Sequence, residues 1–259
     1  MSDWTVPPQV ASALAAAAGI TRPGNPTHVA TALSAWLPGG SVAKLDAMAH
    51  GRVPPGADVA GCAAAILEGP VTAWSCWVHA GLTAALLNDA GVASTVTVLR
   101  RVDEASAPVD FHAVVTSRTP HGPVLTDPYH GAGAMDVDAG STTPAGRLVT
   151  AELIPGSRPE LAIRLVTGHQ LHYRFLGHVD RTDAAAFCEL STTHSGVHGS
   201  RAAHRIGATT ALWLNEQPDG HCRVRIFRTD GHGGRTTEDT ARADFDTGLV
   251  WLSTVPVGP

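Results

Sequence analysis

Three residue types that together perform nucleophilic chemistry occur in order along this chain: Cys76, His112 and Asp127. Cys76 lies in Trp74-Ser75-Cys76-Trp77-Val78-His79-Ala80, and the run from there to Gly91 has the texture of an apolar helix. A thiol at a helix start feels the positive end of the macrodipole. The attacking species is the thiolate, which an adjacent imidazole stabilises as an ion pair. His112 sits in Phe111-His112-Ala113-Val114-Val115, a strand-like run in which its side chain alternates away from Phe111 and Ala113. Asp127 closes Val124-Leu125-Thr126-Asp127-Pro128, a second such run joined to the first through Pro120-His121-Gly122-Pro123. A carboxylate there holds an imidazole in one tautomer and steadies its positive charge. The roles that follow are nucleophile for Cys76, general base for His112 and orienter for Asp127. Backbone N–H groups at the helix start, Trp77 among them, are available to an oxyanion.

Taken singly, each residue has a plainer use. Free cysteine packs well in cores, histidine is common here with 14 copies, and aspartate before proline is a turn residue. Their joint order on helix, strand and strand carries the reading.

The elements that must position them are legible from local signals. Up to Gly91 the chain reads as helical: one segment between Pro7-Pro8 and Gly19, a second after Thr27 and stopped by Pro38-Gly39-Gly40, a third capped by Asp58 and halted at Gly69-Pro70, then the Cys76 helix. Beyond Gly91, short runs rich in Val, Thr and Leu predict strands at 94–102, 111–117, 124–127, 147–154, 161–166, 169–176, 208–216 and 222–229. Pro218-Asp219-Gly220 marks a hairpin turn, Gly131-Ala132-Gly133 a flexible loop, and 191–205 a long polar loop.

Length and composition bound the function. At 259 residues and 44% hydrophobic, the chain is long enough to bury an active site. With a formal charge of −5 and Lys44 its only lysine, it lacks the basic tract that nucleic acid requires. The start, Met1-Ser2-Asp3-Trp4, has no basic-then-apolar signal order, and no apolar run reaches the roughly 18 residues of a membrane helix. A cytoplasmic protein with neither nucleic-acid nor membrane partners is expected, its Cys62, Cys76, Cys188 and Cys222 remaining separate thiols. His169 with His172, and His194 with His198, are spaced like metal ligands but lack a matching third, so no metal is expected. Serine-hydrolase, dinucleotide and P-loop signatures are absent.

Cys76-Trp77-Val78-His79-Ala80 with Leu82 to Val92, His112-Ala113-Val114-Val115, and Asp127-Pro128 resemble the cysteine-helix, histidine-strand and aspartate-strand segments of the transglutaminase-like superfamily. Within it, the short separations, the total length and Val124-Leu125-Thr126-Asp127-Pro128-Tyr129-His130-Gly131 resemble the arylamine N-acetyltransferase family, including its amide-synthase relatives. The motifs cover about Ala63 to Gly131. This resemblance implies an α+β fold with a cysteine-protease-like catalytic core: a helical N-terminal bundle (1–91), a central antiparallel β-barrel or sheet (92–180) and a smaller β-rich lid domain (181–259).

It also implies acyl transfer to an amine by a ping-pong route, with Cys76, His112 and Asp127 as nucleophile, base and orienter. No cofactor would be bound permanently. The co-substrate would be an acyl-CoA or an acyl carrier protein thioester, and the acceptor a small amine. Thr72, Ala73 and Trp74 stand where that family has an arginine and two glycines, Val78 where it has glutamate, and Tyr129 and His130 where it has glycine and phenylalanine. Such departures imply a reshaped pocket for a different acyl group, with Trp74, Trp77, Phe111, Tyr129 and His130 as substrate contacts. Two other readings stay open: a transglutaminase-like cysteine peptidase or amidase, and a non-catalytic binding protein on the same fold.

Overall fold

The structure, a computed structural model, describes residues 4–43, 45, 58–69, 73–102, 111–137, 141–142, 149–155, 160–164, 170–178, 202–207, 209–229, 235–242 and 244–254. Among the described residues, four helices come first. Helix α1 (Pro8–Ala17) starts on proline and is closed by Gly19 at φ +66°, a left-handed position that glycine adopts without steric cost. Helix α2 (Pro26–Trp36) begins two residues before the expected place: Asn25 is its cap, accepting from the His28 N–H at 3.0 Å, with Pro26 in the first turn. Thr27 is used differently. Its hydroxyl accepts from the backbone N–H of Ala134 at 2.9 Å and pins α2 to the sheet behind it. Asp58 caps α3 (Val59–Glu68) through Gly61, as its position predicts.

Helix α4 (Cys76–Asp89) is buried on every side from Trp77 to Leu87. Such a helix belongs inside a core. Its far end is fixed by Asn88, whose amide donates to the carbonyls of Trp4 and Ser94 and accepts from the Ser94 N–H. Its near end is fixed by the buried His79, whose ring nitrogens lie 3.0 Å from the Ser75 carbonyl and 2.9 Å from that of Leu37.

Eight antiparallel strands form the larger sheet: β2 (Ser94–Arg101), β3 (Phe111–Thr119), β4 (Gly122–Asp127), β5 (Ala132–Asp136), β6 (Ser141–Thr142), β7 (Thr150–Ile154), β8 (Glu160–Arg164) and β9 (Gln170–His178). The spatial order is β5-β4-β3-β2-β9-β8-β7-β6, and β5 also packs against β6 and β7, so the sheet curls into a barrel-like wall. Strand β3 is buried on both faces. Phe111, Ala113 and Val115 join the helical core with Trp4, Leu82 and Trp77, while Val114 faces the second core with Leu99, Leu125 and Tyr173.

A smaller sheet completes the fold, ordered β1-β10-β11-β12-β13: β1 (Gly39–Gly40), β10 (Ala202–Ile206), β11 (Thr210–Glu216), β12 (Cys222–Thr229) and β13 (Arg235–Arg242). Helix α5 (Phe245–Thr254) packs on it, and Arg205 donates to the carbonyls of Leu252 and Ser253 at the end of that helix. The architecture is therefore mixed α and β, with a barrel-like antiparallel sheet and a second sheet.

Several expectations are corrected. The front is not wholly helical, because Gly39 and Gly40 pair with Ile206 and Arg205. Gly131-Ala132-Gly133 is not a free loop: Ala132 opens β5 opposite Asp127. Residues 202–205, assigned to a loop, lie in β10, and β13 and α5 are not among the expected elements. The strands gain their conformation from partners distant in sequence, which local propensity does not register, whereas α5 follows a local cap, Asp244, which accepts from the Thr247 N–H at 2.8 Å. His169, His194, His198, Cys188 and Thr72 lie outside the described residues.

The junction of front and rear depends on Gly40. A Cβ there would come within 2.3 Å of the His204 carbonyl oxygen and 2.7 Å of Ala73, whereas at Gly24 the nearest atom would be 3.9 Å away. Gly40→Ala is expected to lower the thermal midpoint by several degrees, from about 1–3 kcal/mol of overpacking. Gly24→Ala should stay within about a degree. Equal midpoints for the two variants in a calorimetric scan would contradict this.

Candidate active site

Cys76 is the first residue of α4, after Ser75 in extended conformation at φ −70° and ψ 164°, and Ser75 supplies no side-chain cap. Its side chain is partly buried and packs against both the helical core and the barrel-wall core. The thiol thus lies at their seam.

His112 reaches it from β3. Register explains how: β3 and β4 pair Val115 with Thr126, so one step further Val114 stands opposite Asp127. Residues directly opposite share a face, and two residues along a strand restore it, so His112 and Asp127 are diagonal neighbours on the same side. His112 Nε2 lies 2.8 Å from Asp127 Oδ2, and Cys76 lies near enough to the imidazole to raise its pKa. Sulfur, imidazole and carboxylate are therefore grouped in that order, the imidazole bonded to the carboxylate and beside the thiol. Asp127 is fully buried and the His112 side chain is 5% exposed.

Burial opposes the charge on both groups, and the neighbours overcome it. For His112, burial alone pulls the pKa down, but the Asp127 charge, its hydrogen bond and Cys76 raise it to about 10. For Asp127, burial alone pushes the carboxyl up, and the charges of His112 and His130 with their hydrogen bonds hold it well below the usual carboxylate range. His79 has no carboxylate bonded to it, and burial pulls its pKa down despite the carbonyls of Leu37 and Ser75.

The five expected substrate contacts separate in the structure. Trp74 is 8% exposed, packs in the helical core and has an indole N–H with no hydrogen-bond partner among the described residues, as does the neighbouring Ser75 hydroxyl. Trp77 is placed deep in that core, on the far side of the reading that made it a pocket residue. Phe111 packs on the helical face of β3, away from His112. Tyr129 does lie among the site residues: its ring meets those of His112, His79 and His130 edge-on, and its hydroxyl is hydrogen-bonded to His204 Nε2. His130 turns back onto the triad, with Nδ1 2.8 Å from Asp127 Oδ2.

Three neighbours escaped sequence reasoning. His79 follows Cys76 by three positions on a helix, a spacing that could have placed it on the same face. Tyr173 on β9 packs its ring 5.3 Å from that of His112, and His204 arrives from β10 stacked on Trp213. Neither has a local signal. The atoms of His112, Asp127 and His130 that could ligate a metal lie within 4.8 Å of one another. They are already joined by hydrogen bonds, which a metal would have to displace.

The chain has the arylamine N-acetyltransferase fold. It superposes on the arylamine N-acetyltransferase of Mycobacterium tuberculosis with TM-score 0.65 at 18% identity, covering 93% of this chain and 90% of that one. It superposes on that of Mycobacterium marinum, solved in complex with CoA, with TM-score 0.66 at 18% identity, covering 93% and 89%. For the Salmonella typhimurium protein the TM-score is 0.58 at 17% identity, covering 93% and 88%. No family model and no curated protein sequence matches the chain. Among the described residues no helix is long and apolar enough to cross a membrane.

A buried pair of this kind leaves a mark on titration. Its stabilising effect, seen from His112, is complete below the ordinary imidazole value of 6.5 and is lost as pH rises through about 10. Seen from Asp127, it is complete above the ordinary 3.8 and is lost as pH falls below that. The His112 ring is accordingly expected to remain cationic from pH 6 to 9, read from its imidazole 15N shifts. A midpoint near 6.5 would contradict the assignment.

Proposed function

We propose that the protein is a cysteine-dependent acyltransferase that forms an amide from an acyl thioester and an amine. The grouping of Cys76 at a helix start beside the hydrogen-bonded His112–Asp127 pair, within this fold, is the observation that carries the reading. Cys76 sulfur attacks the thioester carbonyl: a new carbon–sulfur bond forms, the donor's carbon–sulfur bond breaks, and the departing thiol takes its proton from the His112 imidazolium. In the second half the amine nitrogen attacks the acyl-cysteine, the carbon–nitrogen bond forms and the bond to Cys76 breaks. The proton released by nitrogen goes to His112, which restores the starting ion pair.

Asp127 keeps one edge of the His112 ring occupied, so that the other faces sulfur. The first turn of α4, without a side-chain cap, suits the oxyanion of each tetrahedral intermediate. Trp74 and Ser75 add two buried polar groups directly before the nucleophile that a bound acyl donor could satisfy. The donor we infer is an acyl-CoA or a carrier-protein thioester, a choice supported by the CoA complex of the Mycobacterium marinum protein. Tyr129, where the resembled family has glycine, narrows the space beside His112, which suits a biosynthetic amide synthase with its own acyl group rather than general acetylation.

We take residues 181–259 as a lid domain on the strength of the Tyr129–His204 contact, which brings the smaller sheet to the site. A nucleophilic Cys76 thiol needs a reducing setting, and we take that setting to be the cytoplasm. Residues 1–91 and 92–180 would then carry the nucleophile and its partners.

Incubation with acyl-CoA thioesters should add one acyl group to Cys76, visible by intact mass, and an amine should remove it as amide. Cys76→Ala is expected to form no acyl-enzyme and to lose at least about 1,000-fold in turnover. Full activity in that variant would end the proposal. Release of free acid at the same rate whatever amine is present would replace it with a hydrolase.

A further inference from the structure

The mechanism above uses one imidazole on Asp127, but the carboxylate holds two. His112 Nε2 and His130 Nδ1 each lie 2.8 Å from the same oxygen, Oδ2, and the backbone N–H of His130 donates to Oδ1 at 3.3 Å. The two rings are 5.1 Å apart and inclined at 52°, and the His130 side chain is 7% exposed. Since Oδ2 accepts from both rings, Nε2 of His112 is turned to the carboxylate and Nδ1 is left for the sulfur.

A carboxylate held from one side alone is free to rotate about its last torsion, a broad and soft one. Each rotation would carry the His112 ring off line. Here the turn after β4 prevents it. Pro128 cannot donate to the ladder, Gly131 at φ +67° reverses the chain, and Asp127 pairs with Ala132 across the turn. His130 is thereby folded back over the carboxylate, with one donor on each oxygen. The turn is braced in turn by Tyr129, whose ring stands edge-on to His130 at 4.8 Å and whose hydroxyl is tied to His204 on β10.

Building on the acyl-transfer reading, we propose that His130 is a positioning residue of the site. By clamping Asp127 it keeps the His112 ring aimed at Cys76, and it sets the rate of thiolate chemistry without touching the acyl donor. This differs from the substrate contact that the sequence suggested for it.

His130→Phe keeps a ring of similar size and deletes the Nδ1 donor. His130→Asn restores a side-chain N–H at the same distance from the backbone. The readouts are kcat and KM for acyl transfer, the rate of Cys76 alkylation by iodoacetamide at pH 7, and the thermal midpoint. The phenylalanine variant should lose about 10- to 100-fold in both kcat and alkylation rate, with KM within about twofold. The asparagine variant should recover most of both. If the phenylalanine variant folds poorly, the asparagine variant alone decides, since near-native alkylation is required of it. Native rates in the phenylalanine variant, a loss confined to KM, or an asparagine variant as slow as the phenylalanine one would overturn the role. Should no thioester acylate the wild-type protein, the acyl-transfer reading falls, and the alkylation series still tests His130 because it needs only the thiol and its imidazole.

Discussion

A carboxylate without solvent contact, Asp127, is the interaction around which the rest of this structure is organised. Burying an isolated negative charge costs several kcal/mol, and proteins keep such a group only by surrounding it with donors. Asp127 has two imidazoles on Oδ2 and a backbone N–H on Oδ1. Its charge holds His112 as a cation in a place where burial would otherwise discharge it. That cation is what the Cys76 thiol needs beside it. The carboxylate thus governs the charge of the imidazole that stands beside the sulfur.

Keeping three such groups in line requires rigid supports from different parts of the chain. Helix α4 is enclosed by apolar neighbours along most of its length, so its first turn cannot drift. His79 locks that turn to the end of α2, and Asn88 locks the opposite end to the entry of β2. Strand β3 presses its Phe111, Ala113 and Val115 face against the helices and leaves the His112 face to the barrel wall. Cys76 therefore sits where two cores meet. Sites on strands and helices are held more tightly than sites on loops.

Much of the first half was readable because its signals are local. Asp58, Gly19 and the Pro7-Pro8 pair act within one helical turn of themselves. At α2 the nearer cap, Asn25, prevailed over Thr27, since Pro26 already suits a first helical position. The rear was less readable for a physical reason. Ala132–Asp136 has little β propensity and becomes a strand by pairing with β4, and Ala202–Ile206 becomes one by lying between β1 and β11. Arg235–Arg242 is a polar edge strand without hydrophobic alternation, and it is held by pairing with β12 and by ion pairs such as Asp239 with Arg225.

By itself, the sequence determined the order of the cysteine, histidine and aspartate, the helix that begins at Cys76, the strand that begins beside His112 and the strand that ends at Asp127. These depend on caps, turns and side-chain periodicity acting over a few residues. The tertiary structure alone decided that His112 and Asp127 share a face, that His130 binds the same oxygen, that Trp77 belongs to the core, and that His204 comes from the smaller sheet to meet Tyr129. Cross-strand register and sheet closure set those contacts, and both are collective properties of many pairings: a slip of one residue turns every side chain to the opposite face.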